Sequence, residues 1–344
     1  MGSPNIKCLV WDLDNTLWDD VLMEDARVSL RPGVVELLKL LDERGILQSI
    51  ASKNEYDIAM AKLREFGLDH YFIYPQISWN PKSDSIGEIA ARINIGINSI
   101  AFIDDQAFER EEVHFAHPEV LLIDASQLDE IADMPRMNSE FITSESKLRR
   151  KFYQNDIIRN QVEQEFKGTP DDFLRSLDMK FTISPVRKDD LKRVEELTVR
   201  THQLNATGRT YSYNELTELQ NSSGHKLLIA DLTDKYGEYG KIGLALIECN
   251  QDEWILRLLL MSCRVISRGV GSILLNHILN LARDNGKPLL ADFVPTDRNR
   301  IMYVTYKFAG FREIGKEEGV VKLRYDASFV QPLPDYVQLC VEDS

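Results

Sequence analysis

Between residue 6 and about residue 125, apolar runs of strand length alternate with amphipathic runs of helix length. This alternation restricts the fold more than any other feature of the chain. "IKCLVWDL" reads as a buried strand, "PGVVELLKLLDERG" as a helix closed by a glycine, and "ILQSIAS" as a second strand. A helix over "EYDIAMAKLREFG", a short strand at "YFIYPQIS", a helix at "KSDSIGEIAARIN" and the strand "SIAFIDD" follow. Strands separated by helices predict a parallel sheet covered on both faces, because a parallel connection needs a crossover. Open sheets of this kind bind ligands outside the carboxyl ends of their strands.

Polar groups stand at those ends. Asp12 and Asp14 close the first strand, one residue apart, and in an extended segment they project to the same side. Two adjacent carboxylates repel unless a cation or a proton intervenes, and a hard divalent ion such as Mg²⁺ relieves the repulsion through oxygen ligands. Asp104 and Asp105 end another strand and offer further carboxylates, while Ser52 ends a third and Lys82 stands near a helix start. A hydroxyl, an ammonium, backbone N–H groups and Mg²⁺ together form a cradle for phosphate.

These four pieces, in this order, resemble the haloacid dehalogenase (HAD) superfamily of phosphotransferases over roughly residues 6–125. The resemblance implies that Asp12 is the nucleophile taking a phosphoryl group. Asp14 then protonates the leaving oxygen and later activates water. Ser52, Lys82, Asn15 and Thr16 hold the phosphate, and Asp12, Asp14, Asp104 and Asp105 form the Mg²⁺ site. Which of Asp104 and Asp105 ligates directly stays open at this level. The short gaps from Asp20 to Pro32 and from Ser52 to Lys82 leave no room for a cap domain, so the site is expected to be open.

The chain has 344 residues, which suits two domains, and its composition is that of an ordinary globular protein. A net charge of −14 argues against nucleic acid or an anionic membrane as the main partner. Four scattered cysteines fit no metal-ligand spacing and no disulfide framework, and no apolar run reaches membrane-span length. With no signal peptide in view, a soluble, cytoplasmic protein is expected.

The expected organisation is a phosphatase-like domain over 1–130, a helical linker over 131–177, a second domain over 178–330 and a tail over 331–344. The linker rests on "SESKLRRKFYQNDIIRNQVEQEF" and "KGTPDDFLRSL". The second domain starts with the strand "KFTISPV" and the helix "DDLKRVEELTVR". Strands around "KLLIADL", "KIGLALIECN" and "EWILRLLLMSC" lead into "RGVGSILLNHILNLARDNG", a helix entered through Gly269 and Gly271. "PLLADFV", the helix "NRIMYVTYKFAG" and the strand "VVKLRY" complete an α+β unit.

Glycines at a helix start let backbone N–H groups approach a phosphate at the positive helix end. Joined to "NRIMYVTYKFAGF", the R-G-x-G segment resembles the GNAT superfamily of acyltransferases. That family has Gln or Arg three residues before the first Gly, where this chain has Ile266. Tyr306 matches the position that often protonates a departing thiolate. Cys263 ends a strand beside Arg264, with Arg268 and the glycine turn following, and such neighbours favour a thiolate nucleophile. "RTHQLNATGR" supplies His202, Gln203 and Asn205 as binding-loop candidates.

A capless HAD-like half joined through a helical linker to a GNAT-like half, with "DLDNTLW" and "SCRV…RGVG", resembles the FkbH family along nearly the whole chain. The resemblance implies loading of a glyceryl unit from 1,3-bisphosphoglycerate onto the phosphopantetheine thiol of an acyl carrier protein, with dephosphorylation, for polyketide biosynthesis. Cys263 is then the acyl-carrying nucleophile. His202, Gln203, Asn205, Arg264, Arg268, Gly269, Gly271 and Tyr306 line the acyl and pantetheine path. Carrier proteins are acidic, so docking calls for a local basic patch, and "KLRRK" (Lys147 to Lys151) is a candidate. The rival expectation is a small-molecule phosphatase fused to an acetyl-CoA-dependent N-acetyltransferase.

Overall fold

The computed structural model describes residues 4–24, 27–138, 141–326 and 332–342. The chain divides into two compact units, Met1–Ile157 and Ile158–Ser344. Among the described residues no helix is long and apolar enough to cross a membrane.

In the first unit β1 (Cys8–Trp11) is followed by a short ribbon of β2 (Trp18–Asp19) and β3 (Ser29–Leu30). Then come α1 (Val34–Glu43), β4 (Leu47–Ser52), α2 (Tyr56–Glu65), β5 (Gln76–Ile77), α3 (Lys82–Ile93), β6 (Ile100–Asp104), α4 (Ala107–Ala116) and β7 (Leu121–Asp124). Five strands form a parallel sheet in the order β5-β4-β1-β6-β7. Side chains of β1 alternate between two cores: Leu9 and Trp11 pack toward α1 and α2, and Cys8 and Val10 toward Ile86, Ile89 and Val113 of α3 and α4. A strand covered on both faces must be apolar throughout, which is why "CLVW" carries no polar residue. Among the described residues no cap domain interrupts the unit. The segment after β1 makes only the β2–β3 ribbon, and residues 53–81 hold α2, the turn Asp69–Tyr71 and β5. β5 is shorter than its apolar pattern predicts, because only Gln76 and Ile77 reach the edge of β4, with a lone bridge from Phe72 to Gln48.

Helix α5 (Ser144–Glu165) spans the junction of the two units, and α6 (Pro170–Ser176) starts at Thr169, whose hydroxyl caps the Asp172 N–H at 3.2 Å. The second unit continues through β8 (Met179–Pro185), α7 (Leu191–Arg200), α8 (Tyr213–Asn221), β9 (His225–Asp234), β10 (Gly237–Cys249) and β11 (Trp254–Met261). It closes with α9 (Ile273–Asp284), β12 (Leu289–Phe293), α10 (Arg300–Phe308), β13 (Phe311–Glu317), β14 (Val320–Tyr325) and β15 (Val337–Val341). Eight strands form one mixed sheet in the order β13-β14-β12-β11-β10-β9-β8-β15. β8 to β11 are an antiparallel meander, and β12 lies parallel to β11 after the α9 crossover. One core lies against α9 and α10, the other against α7 and α8.

The architecture is α/β: a parallel-sheet domain followed by a helical segment and a mixed-sheet α+β domain. Several elements go beyond the pattern reading: β2, β3, α4 and β7 in the first unit and α8 and β13 in the second. Within residues 331–344, expected as a tail, β15 pairs in parallel with β8.

The β11–β12 pairing stops early. Only Trp254, Ile255 and Leu256 of β11 face β12, and beyond them the two strands part. The gap is filled by Leu204–Asn205–Ala206 of the α7–α8 loop. Ala206 N donates to Leu259 O (2.9 Å), Met261 N to Leu204 O (2.9 Å), and Val294 N, just past β12, to Ala206 O (3.0 Å). Backbone groups at a strand fork must find partners, and here the chain provides its own.

Candidate active site

The carboxyl ends of β1, β4 and β6 lie side by side, so Asp12, Ser52 and Asp104 converge although they are far apart in sequence. β1 stops at Trp11, and Asp12 N bonds to Ile103 O at 3.0 Å. The chain then turns tightly: Leu13 O accepts from the N–H groups of Thr16, Leu17 and Trp18, and Asn15 takes φ 53° in the left-handed region that asparagine tolerates.

Lys82, the first residue of α3, places its ammonium between two buried carboxylates, 2.8 Å from Asp12 Oδ1 and 2.5 Å from Asp104 Oδ2. The Ser52 hydroxyl, at the end of β4, favours the charged form of Asp12. Asp104 Oδ1 also accepts from Gln106 N at 2.7 Å, and Thr16 Oγ1 accepts from Asp105 N at 3.1 Å. Burial pushes the Asp12 carboxyl up to about 7; Lys82 opposes the shift and the Asp104 charge adds to it. Asp104 and Asp105 are likewise raised, in each case first by burial. On Lys82 burial works against the charge, but the two aspartates outweigh it and raise the ammonium above its ordinary value.

One oxygen from each of Asp12, Asp104 and Asp105 lies within 4.8 Å of the others. Three carboxylates against one ammonium leave an excess of negative charge, and Asp105 Oδ1 is buried with no hydrogen-bond partner among the described residues. Hard oxygen donors, an uncompensated charge and an orphaned oxygen fit Mg²⁺. Asp12, Asp104 and Asp105 are the residues that would hold it.

Asp14 is not one of the three carboxylates within 4.8 Å of one another, although its charge reaches Asp105. Because β1 ends at Trp11, strand alternation does not govern residues 12–14. Asp14 Oδ1 accepts from Trp18 Nε1 (2.8 Å) and Leu22 N (3.0 Å), and Oδ2 accepts from Asn54 Nδ2 (3.0 Å). Three donors claim the carboxylate, so it lies outside the three-carboxylate group assigned to metal. Held this way it can act on a proton rather than on a cation. Trp18 and Asn54 were not among the expected site residues. Asn54 was the readable one, a polar residue two positions after Ser52 where a strand end meets a helix. Lys53 reaches Glu109 of α4 at 2.7 Å and closes one flank.

In the second unit Cys263 opens a single helical turn, Cys263–Arg268, directly after β11, and is half-buried. Arg264 Nη2 donates to Tyr239 O at 2.7 Å. Gly269 follows at φ 67°, and a side chain there would collide with the Tyr336 hydroxyl. Gly271 faces open space before α9. His202 and Gln203 are exposed at the front of the loop that fills the strand fork.

Three expected ligand-binding residues serve the fold instead. Asn205 is buried: its Oδ1 accepts from Thr207 N (3.1 Å) and Gly208 N (2.9 Å), and its carbonyl accepts from Asn299 Nδ2 (3.0 Å). Arg268 is also buried, its guanidinium bonded to Glu163 and Asn160 of α5 at 3.0 Å each. Tyr306 is fully buried against Phe311, and its hydroxyl has no partner among the described residues. Burial pushes that phenol well above its ordinary value. A proton donor sealed in this way does not face a departing thiolate. The amphipathic period of α10 turns Met302, Tyr306 and Ala309 inward together.

Residues 19–109 match the model of a family described as haloacid dehalogenase-like hydrolase. The match contains Ser52, Lys82, Asp104 and Asp105 and begins after Asp12 and Asp14. No curated protein matches the sequence. Among solved structures, the N-terminal part of a Bacteroides fragilis protein containing a phosphatase domain, complexed with Mg, is 28% identical over 40% of this chain, with a TM-score of 0.32. This chain covers 41% of that structure. The ribosomal-protein-S18-alanine N-acetyltransferase of Escherichia coli is 17% identical, with 44% of this chain and 96% of that chain covered and a TM-score of 0.35. The PaiA N-acetyltransferase of Thermoplasma acidophilum in complex with coenzyme A is 14% identical, with 42% and 98% covered and a TM-score of 0.36.

Proposed function

We propose that this chain removes phosphate at its first unit and transfers an acyl group at its second, loading a glyceryl unit from 1,3-bisphosphoglycerate onto the phosphopantetheine thiol of an acyl carrier protein. The observation that carries the first half is the Lys82 ammonium bridging Asp12 and Asp104 beside the orphaned Asp105 oxygen, at strand ends that no cap covers. Bound at Asp12, Asp104 and Asp105, Mg²⁺ would offset the charge of a phosphate and polarise it.

At this site Asp12 attacks phosphorus of the ester phosphate, the P–O bond to carbon three breaks, and the leaving alkoxide takes a proton from Asp14. Water deprotonated by Asp14 then cleaves the aspartyl phosphate and restores Asp12. At the second site the Cys263 thiolate attacks the carbonyl of the acyl phosphate, inorganic phosphate leaves, and a glyceryl thioester forms. The carrier thiolate displaces Cys263 from that thioester. Division between two sites follows from the chemistry. Attack by Asp12 on the acyl phosphate itself would release free carboxylate and discard the activation.

The sealed Tyr306 hydroxyl and the apolar Ile266 favour this reading over the acetyl-CoA alternative.

The test uses enzymatically generated 1,3-bisphosphoglycerate with Mg²⁺ and reads intact mass of wild type, Cys263→Ala and Asp12→Asn. A glyceryl adduct on wild type and none on Cys263→Ala is expected, with a phosphoglyceryl adduct on Asp12→Asn. A dephosphorylated adduct on Asp12→Asn at the normal rate overturns the division of labour. Acetylation of an amine from acetyl-CoA, with no glyceryl adduct and no glyceryl carrier, overturns the whole reading.

A further inference from the structure

Helix α10 buries Met302, Tyr306 and Ala309 and leaves its opposite face uncovered. On that face Ile301, Val304 and Phe308 recur at helical spacing and are 43%, 37% and 72% exposed. One apolar residue on a surface needs no explanation, but an aligned stripe ending in a phenylalanine does. The charges around it are one-sided. From Arg298 to Arg312 the chain holds four basic and no acidic side chains, in a protein with 55 acidic and 41 basic residues. Arg300 and Lys307 flank the stripe and form no ion pair among the described residues, while Arg298 and Arg312 meet only exposed or half-buried aspartates at its two ends. In the other basic candidate, Lys147 to Lys151, two of the four cations are engaged within their own unit. Arg150 grips Asp42 with two bonds of 2.9 and 3.0 Å, and Arg149 donates to Gly45 O at 2.6 Å.

The start of α10 connects to the strand that leads to the proposed acyl site. Asn299, which precedes α10, donates to Asn205 O, and Asn205 bridges Leu260, three residues before Cys263. We propose that this face of α10 docks an acidic amphipathic helix of the carrier protein. Apolar residues of that helix cover Ile301, Val304 and Phe308, and its carboxylates meet Arg300 and Lys307. The inference rests on the carrier reading above and adds its place of contact. A small apolar stripe within a cationic rim suits a transient, salt-sensitive encounter.

The test compares full-length wild type, Arg300→Glu/Lys307→Glu and Phe308→Ala in two assays: loading of Cys263 without carrier, and transfer to titrated carrier. The expected result is a carrier KM raised about tenfold or more in the charge-reversed variant, near-normal kcat at saturating carrier, and unchanged carrier-free loading. Arg300→Lys/Lys307→Arg should keep the wild-type KM, and added salt should raise the KM of wild type but not of the charge-reversed variant. A KM unchanged in both the charge-reversed and Phe308→Ala variants overturns the proposal while leaving the functional reading intact. So does a wild-type dimer in solution that Phe308→Ala converts to monomer, since the face then belongs to a second copy. A wild type that loads glyceryl neither on itself nor on carrier overturns the functional reading and this inference with it.

Discussion

Replacing Asn54 with alanine removes one of the three donors on Asp14 without touching Asp12, Lys82 or the carboxylate cluster. The lost contacts are the 3.0 Å bond from Nδ2 to Asp14 Oδ2 and the bond that Oδ1 accepts from Glu55 N at 3.2 Å, and Asn54 is 2% exposed, so water does not readily replace them. A hydrogen bond to a charged acceptor contributes about 1.5–3 kcal/mol. Spent on holding a general acid in line, that corresponds to roughly 10- to 150-fold in any step that needs the proton. Trp18 and Leu22 still hold the other oxygen, so the loss should stay below that of Asp14→Asn, for which general acid catalysis sets a scale of about 10²–10⁴-fold. The assay is the Mg²⁺-dependent first turnover of two esters. An alkyl phosphate needs a proton delivered to its leaving oxygen, whereas p-nitrophenyl phosphate releases a stable phenolate without one. Asn54→Ala should therefore slow the first-turnover release of the alcohol selectively and leave first-turnover release of p-nitrophenolate close to wild type, because the later water step through Asp14 is common to both esters. Equal losses in the first turnover of both esters would refute the assignment and reduce Asn54 to a structural residue.

Lys82→Met leaves Asp12 and Asp104 buried without their cation, and breaking such a pair costs about 3–5 kcal/mol. Mg²⁺ at 100 times its Kd should restore about 2.7 kcal/mol, so denaturant unfolding with Mg²⁺ and with chelator should diverge. Without such divergence the carboxylate cluster is no metal site. Burial raises the Asp12 carboxyl to about 7, so metal-free folded protein keeps a proton that the unfolded chain releases in the usual carboxylate range. The stabilisation from that proton is complete in acid and is lost as pH rises toward and through 7. Mg²⁺ must displace the same proton, so its apparent affinity should rise across that window and level off above it, readable as the Mg²⁺-induced shift in Tm. Gly269→Ala forces a Cβ into the left-handed region at about 1–2 kcal/mol and onto the Tyr336 hydroxyl. Adding Tyr336→Phe should recover part of the loss in chemical denaturation, and additive effects would show that the two residues do not meet.

Much of the first unit was legible in the sequence, and the reason is local. An apolar run with polar residues only at its end has to be a covered strand, and in a parallel sheet those ends point one way. Asp12, Ser52, Lys82, Asp104 and Asp105 are legible on those grounds, since each sits at a strand end or a helix start. Asp14 was legible as a residue but not in its orientation. That is set by Asn54, forty residues further on, by the Trp18 indole and by the Leu22 amide.

In the second unit, pattern and outcome separate more widely. The spacing of α10 makes one face apolar, yet whether Tyr306 turns its hydroxyl to a ligand or into the core depends on the strand beneath, and Phe311 lies there. Arg268 reads as a surface cation beside a glycine turn. Glu163 and Asn160 of α5 draw it inside, where it is 2% exposed. Val337–Val341 is too short to announce a strand, and the free edge of β8 makes it one. Leu204–Ala206 carries no strand signal, and the parting of β11 and β12 gives its backbone two neighbours to bond. The sequence by itself determined the layers, the strand ends and the residue types gathered there, because these depend on alternation and local turns. The tertiary structure decided which polar groups remain available for chemistry, because a buried donor or acceptor must be satisfied by whichever neighbour the fold brings, and that neighbour is seldom close in sequence.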